Sequence, residues 1–380
     1  MSPGTIFGSV LLLLAVAGIG YTVHALLAIA RFARRPALYG PAEPVSLLKP
    51  LHGAEPRLGE NLATFLAQDW DAPIELVAGV QRVDDPAAGV ARGLPVREGR
   101  TVRCVVDPTP HGANAKVSNL VNMMPAASHD MLVQSDSDMS VGADYLRAVT
   151  GALAQPGVGA ATCLYRGRGD AGFWSVMGAA GVSYGFLPSV VVSMTMGPVR
   201  ACMGSTIAIR RETLEAIGGF AAFADVLADD HAIGAAVRAR GETIAVPPAV
   251  LVHAATERTF GELMRHELRW AATVRDVVSI GEHLGLVFTQ PVAPALLACA
   301  FVPKAGAAAL AVALAMRALL WRRVDRWAGR TAPLWLLPLR DLLSSAVFVA
   351  SLFVRSVDWR GQRLTMVSNG RIVRPEDFTA

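Results

Sequence analysis

Three acidic pairs stand beside apolar runs along this chain: Asp84-Asp85, Asp136-Ser137-Asp138 and Asp229-Asp230. The middle one follows Met131-Leu132-Val133 directly, so it reads as the carboxyl end of a buried strand, where open α/β sheets bind their ligands. There the chain turns, and carboxylates one residue apart can aim into one pocket. A hard divalent cation whose other ligands are phosphate oxygens needs only one or two protein carboxylates. Taken alone, Asp-Ser-Asp is also a common turn or helix-start sequence whose carboxylates cap backbone N–H groups.

The other pairs have the same two readings. Asp84-Asp85-Pro86 follows the apolar run 74–80, and is either a second acidic strand end or a solvated turn before a helix. Asp229-Asp230-His231 opens a helix running to about residue 240. Carboxylates at a helix start are favoured by the macrodipole, whereas the functional reading makes one of them a base. Lys116 lies beside the helix start at Asn114, as a phosphate contact or as surface charge. In His266-x-x-Arg269-Trp270, His266 and Arg269 are three apart and share a helix face. That helix is alternatively an amphipathic one with its tryptophan at a membrane interface.

From residue 45 to about 258, short apolar runs alternate with helical patterns, the sign of a mostly parallel sheet with helices packed on it. Strands are expected at 45–48, leading to Lys49-Pro50, and at 74–80, 102–106, 158–164 and 207–209. Helices are expected at 57–68, 144–154, 211–217 and 260–275. The stretch 173–194 is apolar but contains Trp174, Tyr184, Pro188 and several glycines. It reads as a helix pair in the membrane interface where a lipid would enter, or else as core.

With 53% hydrophobic and only 17% charged residues, the composition is too apolar for an ordinary soluble domain, and the apolar residues are clustered. Residues 6–30 are long enough to cross a bilayer. Arg31, Arg34 and Arg35 follow, so this segment reads as an uncleaved anchor with a cytoplasmic C-terminal flank. Residues 286–320 carry Pro291, Pro294 and Pro303 and read as one kinked span or a tight hairpin, with 334–354 as a further apolar block. The expected organisation is an anchor at 1–35, a cytoplasmic catalytic domain at 44–284, a transmembrane region at 285–356 and a cytoplasmic tail at 357–380. The net charge of +4 suits a domain resting on an anionic leaflet. Nucleic acid is not an expected partner, because the basic residues are scattered and not interleaved with aromatics. Cys104, Cys163, Cys202 and Cys299 show no Cys-x-x-Cys spacing and read as reduced thiols.

Four motifs in order carry a resemblance: Val45-Ser46-Leu47-Leu48-Lys49-Pro50-Leu51, Asp84-Asp85-Pro86-Ala87, Asp136-Ser137-Asp138, and Asp229-Asp230 followed by His266-x-x-Arg269-Trp270. The chain resembles a family 2-type, metal-dependent glycosyltransferase of the ceramide glucosyltransferase-like group. That resemblance implies an α/β GT-A (Rossmann-like) domain with N- and C-terminal transmembrane helices, multi-pass in the cell inner membrane with its catalytic domain cytoplasmic. It also implies a UDP-sugar donor, Mg²⁺ or Mn²⁺, and a lipid acceptor from the bilayer. By motif position, Asp85 would lie by the uridine, with Lys49, Pro50 and Lys116 also on the donor. Asp136 and Asp138 would lie by the diphosphate and its metal. Asp230 would lie by the acceptor hydroxyl, while His266, Arg269 and Trp270 would close over the donor. The chain departs from the family pattern at His266, where Gln or Arg is usual.

The chemistry required is charge relief on the departing diphosphate, from the metal and Arg269, and a base on the acceptor side. Asp230 in that role implies in-line attack with inversion. Within the group the resemblance is greatest to enzymes of hopanoid biosynthesis that place N-acetylglucosamine on bacteriohopanetetrol, a sphingolipid (ceramide, with UDP-glucose) being the other acceptor class. A non-catalytic lipid carrier or transporter with the same fold is the third reading. It is disfavoured by the acidic sites and by an expectation that intramembrane charges are nearly absent.

Overall fold

The computed structural model describes residues 2–354, 356–359, 362–366 and 372–373. The expected tail at 357–380 therefore lies largely outside the described residues. Two compact units divide the rest. An α/β unit is formed by Arg35–Tyr165 and Gly197–Thr256, and a helical unit by Met1–Arg34, Arg166–Met196 and Glu257–Arg363.

Ten strands precede residue 256: β1 (Val45–Pro50), β2 (Ile74–Val80), β3 (Arg100–Val106), β4 (Met131–Gln134), β5 (Met139–Ser140), β6 (Val158–Ala161), β7 (Leu164–Gly169), β8 (Ile207–Arg210), β9 (Thr243–Ala245) and β10 (Val250–Ala255). Seven form one sheet in the order β3-β2-β1-β4-β8-β6-β9. Every residue of β1, β2 and β4 is buried, which is why these strands read as continuous apolar runs without alternation. β2 and β4 both pair with β1 in parallel, Leu47 lying opposite Leu76 on one side and Val133 on the other. Parallel pairing brings the carboxyl ends of all three strands to the same edge of the sheet. The chain then reverses sense: β8 is antiparallel to both β4 and β6.

Helix Leu58–Leu66 buries Leu58, Leu62, Phe65 and Leu66, the face its spacing predicts. Burying a side chain such as Phe65 contributes about 1.5–3 kcal/mol. The strand expected at 158–164 is two strands. At the break, Thr162 Oγ1 donates to the Thr206 carbonyl at 2.7 Å and accepts from Met203 N at 2.8 Å. This ties the chain to the loop before β8 and ends β6. A second pairing, β5 with β10, sets Met139 opposite His253.

In the helical unit, four helices among the described residues are long and apolar enough to cross a membrane: Pro3–Phe32, Phe173–Met196, Pro303–Ala328 and Leu334–Ser351. Ala15, Ala295, Ala309 and Ala313 pack together, the small-residue contact that lets apolar helices approach closely. The block at 286–320 resolves into a short helix, Val292–Ala298, and the long helix opened by Pro303 at its first turn. Residues 173–196 run as one continuous helix and not as two, with a π segment at Val182–Phe186. Pro188 has no N–H to give the Tyr184 carbonyl four residues back, and that carbonyl instead accepts from Arg317 Nη1 at 3.1 Å.

Charges in these apolar helices are not nearly absent, contrary to the sequence reading. Arg317 makes two hydrogen bonds of 2.7 Å to the Asp341 carboxylate. Arg340 pairs with Glu267, and Tyr184 Oη donates to Asp325. Each pair joins two different helices, so the pairing is between residues distant along the chain.

Candidate active site

Asn114 caps the helix Ala115–Met123 by accepting from Val117 N, which sets Lys116 in the first turn. Its Nζ lies 2.9 Å from Asp136 Oδ1 and 3.0 Å from Asp229 Oδ2. Gly204 makes the second link: its carbonyl accepts from Asp136 N at 3.1 Å, and its N–H donates to Asp230 Oδ2 at 2.9 Å. A cation and a backbone unit thus gather Asp136, Asp229 and Asp230 from segments nearly a hundred residues apart. Asp138 joins from β5's side, its Oδ2 3.2 Å from His253 Nε2 on β10.

A side chain at 204 has no room, since a Cβ there would fall 2.5 Å from Asp136 Oδ2. Gly204→Ala should therefore displace Asp136 and destabilise the unit by about 1–3 kcal/mol, the usual cost of overpacking. This would be read as a lowered thermal unfolding midpoint together with weaker donor binding. An unchanged midpoint and unchanged binding would show that the approach is relaxed in solution.

The electrostatics follow from burial and crowding of like charge. Burial works to lower the Lys116 pKa, but Asp136, Asp229 and Asp230 more than offset it, so the amine is held protonated. Asp136 is raised above the usual carboxylate range, by burial first and then by Asp138, against the pull of Lys116. Asp230 is pushed up to about 6 by burial and by Asp229, again opposed by Lys116. Each Asp230 oxygen accepts one backbone N–H, from Gly204 and from His231 at 2.7 Å, which leaves lone pairs for a further donor. Tyr165, buried against the His253 ring at 5.7 Å, is raised well above its ordinary value by burial and then by Asp230. It stays a neutral phenol at any working pH.

Other residues expected on the donor have different surroundings. Lys49 has no exposed surface; its Nζ donates to Ser135 Oγ and to the Asp136 carbonyl, both at 2.9 Å, and lies 3.3 Å from the centre of the Phe65 ring. Burial lowers its pKa. It fastens the Asp136 turn to β1 and has no exposed face. Pro50, which ends β1, is buried as well. Asp85 caps helix Pro86–Arg92, accepting from Ala87 N at 2.9 Å and from Gly53 N at 3.0 and 3.1 Å. The loop after β1 is thereby held to the loop after β2. Asp84 is a surface residue paired with Arg82 at 2.6 Å.

The aromatic and basic motif belongs to the helical unit, on helix Phe260–Val277. His266 Nδ1 pairs with the buried Glu257 carboxylate, and its ring meets Trp270 edge-on at 4.6 Å. Arg269, half-buried, is on the same helix. Glu267 and Arg275 fasten that helix to Arg340 and to the carbonyls of Ser351 and Val354.

Asp136 and Asp138 offer hard oxygen donors. Among the described residues no group of three or more His, Cys, Asp or Glu forms a protein-only metal cage. A cation completed by ligand phosphates does not require one, so the donor set fits Mg²⁺ or Mn²⁺. Sequence reading missed Gly204, Tyr165 and His253. The first had a local signal in Met203-Gly204-Ser205-Thr206, a tight loop closed by Thr206 N donating to the Met203 carbonyl at 3.0 Å.

A mixed α/β sheet with an acidic cluster at its strand ends is the architecture of GT-A glycosyltransferases. The fold matches that of a mannosyltransferase from Pyrobaculum calidifontis, solved with GDP-mannose and Mn²⁺, over 91% of this chain and 99% of that one, with a TM-score of 0.51 and 21% identity. Residues 10–372 match glycosyl transferase family 21, and the chain belongs to that family. It is also similar to ceramide glucosyltransferase 1 of Caenorhabditis elegans, 25% identical over 240 residues, which is 63% of this chain and 50% of that protein. The chain thus spans about half the length of that curated relative. The family is 21, and with this relative it supports the ceramide glucosyltransferase-like part of the sequence resemblance.

Proposed function

We propose that this chain is a membrane-bound, inverting hexosyltransferase that moves N-acetylglucosamine from UDP-N-acetylglucosamine to a lipid hydroxyl, that of bacteriohopanetetrol in hopanoid biosynthesis. The observation that carries the reading is the gathering of Asp136, Asp229 and Asp230 around Lys116 and Gly204. One side of such a cluster suits a diphosphate, and the other suits a hydroxyl that must lose its proton.

Asp230 accepts the proton of the acceptor hydroxyl as its oxygen attacks the anomeric carbon, and the bond to the diphosphate oxygen breaks with its electron pair leaving on UDP. Inversion follows from single in-line displacement. Lys49 and Gly204 fix the Asp136 turn, and His253 orients Asp138. Mg²⁺ or Mn²⁺ held by Asp136 and Asp138 would relieve charge on the diphosphate. Lys116 adds a fixed positive charge beside it. Asp85 is proposed to lie by the uridine. The transfer is proposed to take place in the α/β unit, on the cytoplasmic side of the inner membrane, with the anchor at 1–35 and a transmembrane region at 285–356; residues 166–196 and 257–284, inside the 44–284 expected for the catalytic domain, belong to the helical unit.

Asp138→Asn should weaken Mn²⁺ binding at least tenfold, read from the electron paramagnetic resonance signal of free Mn²⁺, and should weaken UDP binding with it. Binding equal to wild type would remove Asp138 from the metal site.

Ceramide with UDP-glucose is the second reading, favoured by the ceramide glucosyltransferase relative. The two are separated by incubating the full chain in vesicles with each donor and each acceptor and weighing the lipids by mass spectrometry. A hexosaminyl hopanoid supports the first reading, and a hexosylceramide alone supports the second.

A further inference from the structure

A cavity of about 200 Å³ lies among the helices of the helical unit, and no residue lining it has a part in the transfer described above. Its lining is mixed. Phe186, Leu286, Val347 and Phe348 are apolar, while Arg317, Arg340, Glu267 and Asp341 are charged. The two arginines and two carboxylates pair off, Arg317 with Asp341 and Arg340 with Glu267, so they add no net charge. A phosphate entering here would bring uncompensated negative charge against Glu267 and Asp341, whose bidentate pairing already neutralises the two guanidiniums. An uncharged polar group faces no such repulsion.

His283 supplies the second observation. It lines the cavity, is 1% exposed, and stacks on Phe348 with ring centres 5.6 Å apart. Its Nε2 is 3.2 Å from Ser351 Oγ, while its Nδ1 has no hydrogen-bond partner. A buried polar atom left unpaired costs free energy; Nδ1 is sealed as the ring stands, so a ligand hydroxyl would recover that cost with a shift of the ring. Burial and then Arg275 lower the His283 pKa, so the ring is neutral.

We infer that this cavity binds the uncharged, hydroxyl-bearing end of a membrane amphiphile. Three helices that contribute to its lining, Phe173–Met196, Pro303–Ala328 and Leu334–Ser351, are long and apolar enough to cross a bilayer. The volume is below the roughly 300–1,000 Å³ of sites that enclose a whole drug-sized ligand, so it takes one end of a lipid. That lipid is either the acceptor of the proposed transfer, in which case the assignment rests on that function, or a second, non-reacting lipid.

The test uses the full chain in phosphatidylcholine vesicles with a diazirine-bearing monoacylglycerol, crosslinks being mapped by mass spectrometry. Gly185 lines the cavity, and a Cβ there would meet nothing within 4 Å, so Gly185→Leu puts a side chain into open space. His283→Phe keeps the stack on Phe348 and removes both ring nitrogens. Labelling is expected on helices Phe260–Val277 and Leu337–Ser351, falling at least tenfold in Gly185→Leu and several-fold in His283→Phe, each variant having a wild-type unfolding midpoint. A diazirine-bearing phosphatidic acid of the same chain length should not label these peptides. Labelling confined to other segments, labelling undiminished in both variants, or equal labelling by phosphatidic acid would overturn the inference. Competition by bacteriohopanetetrol or ceramide assigns the cavity to the acceptor, and no competition assigns it to a second lipid. Because labelling does not depend on sugar transfer, a labelled but inactive protein sinks the proposed function alone, and an active but unlabelled one sinks the cavity alone.

Discussion

Asp230→Asn is expected to lower sugar transfer by about 10²–10⁴-fold, the range general-base catalysis contributes, while UDP and Mn²⁺ should bind within a few-fold of wild type. The asparagine oxygen can still accept the Gly204 N–H that Asp230 accepts at 2.9 Å, so the loop keeps its place. What would be lost is the carboxylate oxygen proposed to take the proton. The pH profile gives a second signature. As the proposed base Asp230 would act deprotonated, and burial with Asp229 has pushed its pKa up to about 6, so kcat/KM should be level above about pH 7 and fall as pH drops through 6. The linkage sign for stability is opposite. A carboxylate raised in the fold is relieved by protonation, so its destabilising contribution fades as pH falls from 6 towards 4. Near-normal turnover by Asp230→Asn, or a profile flat to pH 5, would remove Asp230 from the role of base.

The largest stability effect is expected inside the helical unit. Arg317 and Asp341 are 6% and 2% exposed and joined by two bonds of 2.7 Å. Asp341→Ala leaves a buried guanidinium without its counter-charge, and breaking such a pair costs about 3–5 kcal/mol. The double variant Arg317→Met with Asp341→Leu removes both charges and should recover most of that loss, because a desolvated pair is close to neutral against an apolar replacement. Unfolding midpoints in detergent for the two variants read this directly. If Asp341→Ala stays within about 1 kcal/mol of wild type, water reaches Arg317 and the pair is not sealed.

What the sequence disclosed was local in kind. The strand ends at Val80 and Gln134, the helix starting at Asp229 and the helix carrying His266 were legible because periodicity and turn chemistry act over a few residues. So was the likeness to ceramide glucosyltransferases. The hidden features depend on pairing across the chain. Nothing near Lys49 announces that its amine is consumed by Ser135 and the Asp136 carbonyl, and nothing near His253 announces Asp138. Asp85 shows how one signal carries two meanings: its Pro86 neighbour marked a turn, and the carboxylate caps the helix that follows. Residues 173–194 looked broken because Pro188 and the glycines disfavour a helix. The break is absorbed by a π segment and by an arginine from helix Pro303–Ala328.

In the proposed transfer a sugar leaves UDP for a lipid. Its most direct test is the ratio of UDP released to lipid-linked N-acetylglucosamine formed by the full chain in vesicles containing bacteriohopanetetrol, Mn²⁺ and UDP-N-acetylglucosamine. A ratio of one, with both products lost in Asp230→Asn, is the predicted result. UDP release with no lipid-linked sugar, or neither product with any UDP-sugar and lipid offered, would contradict it.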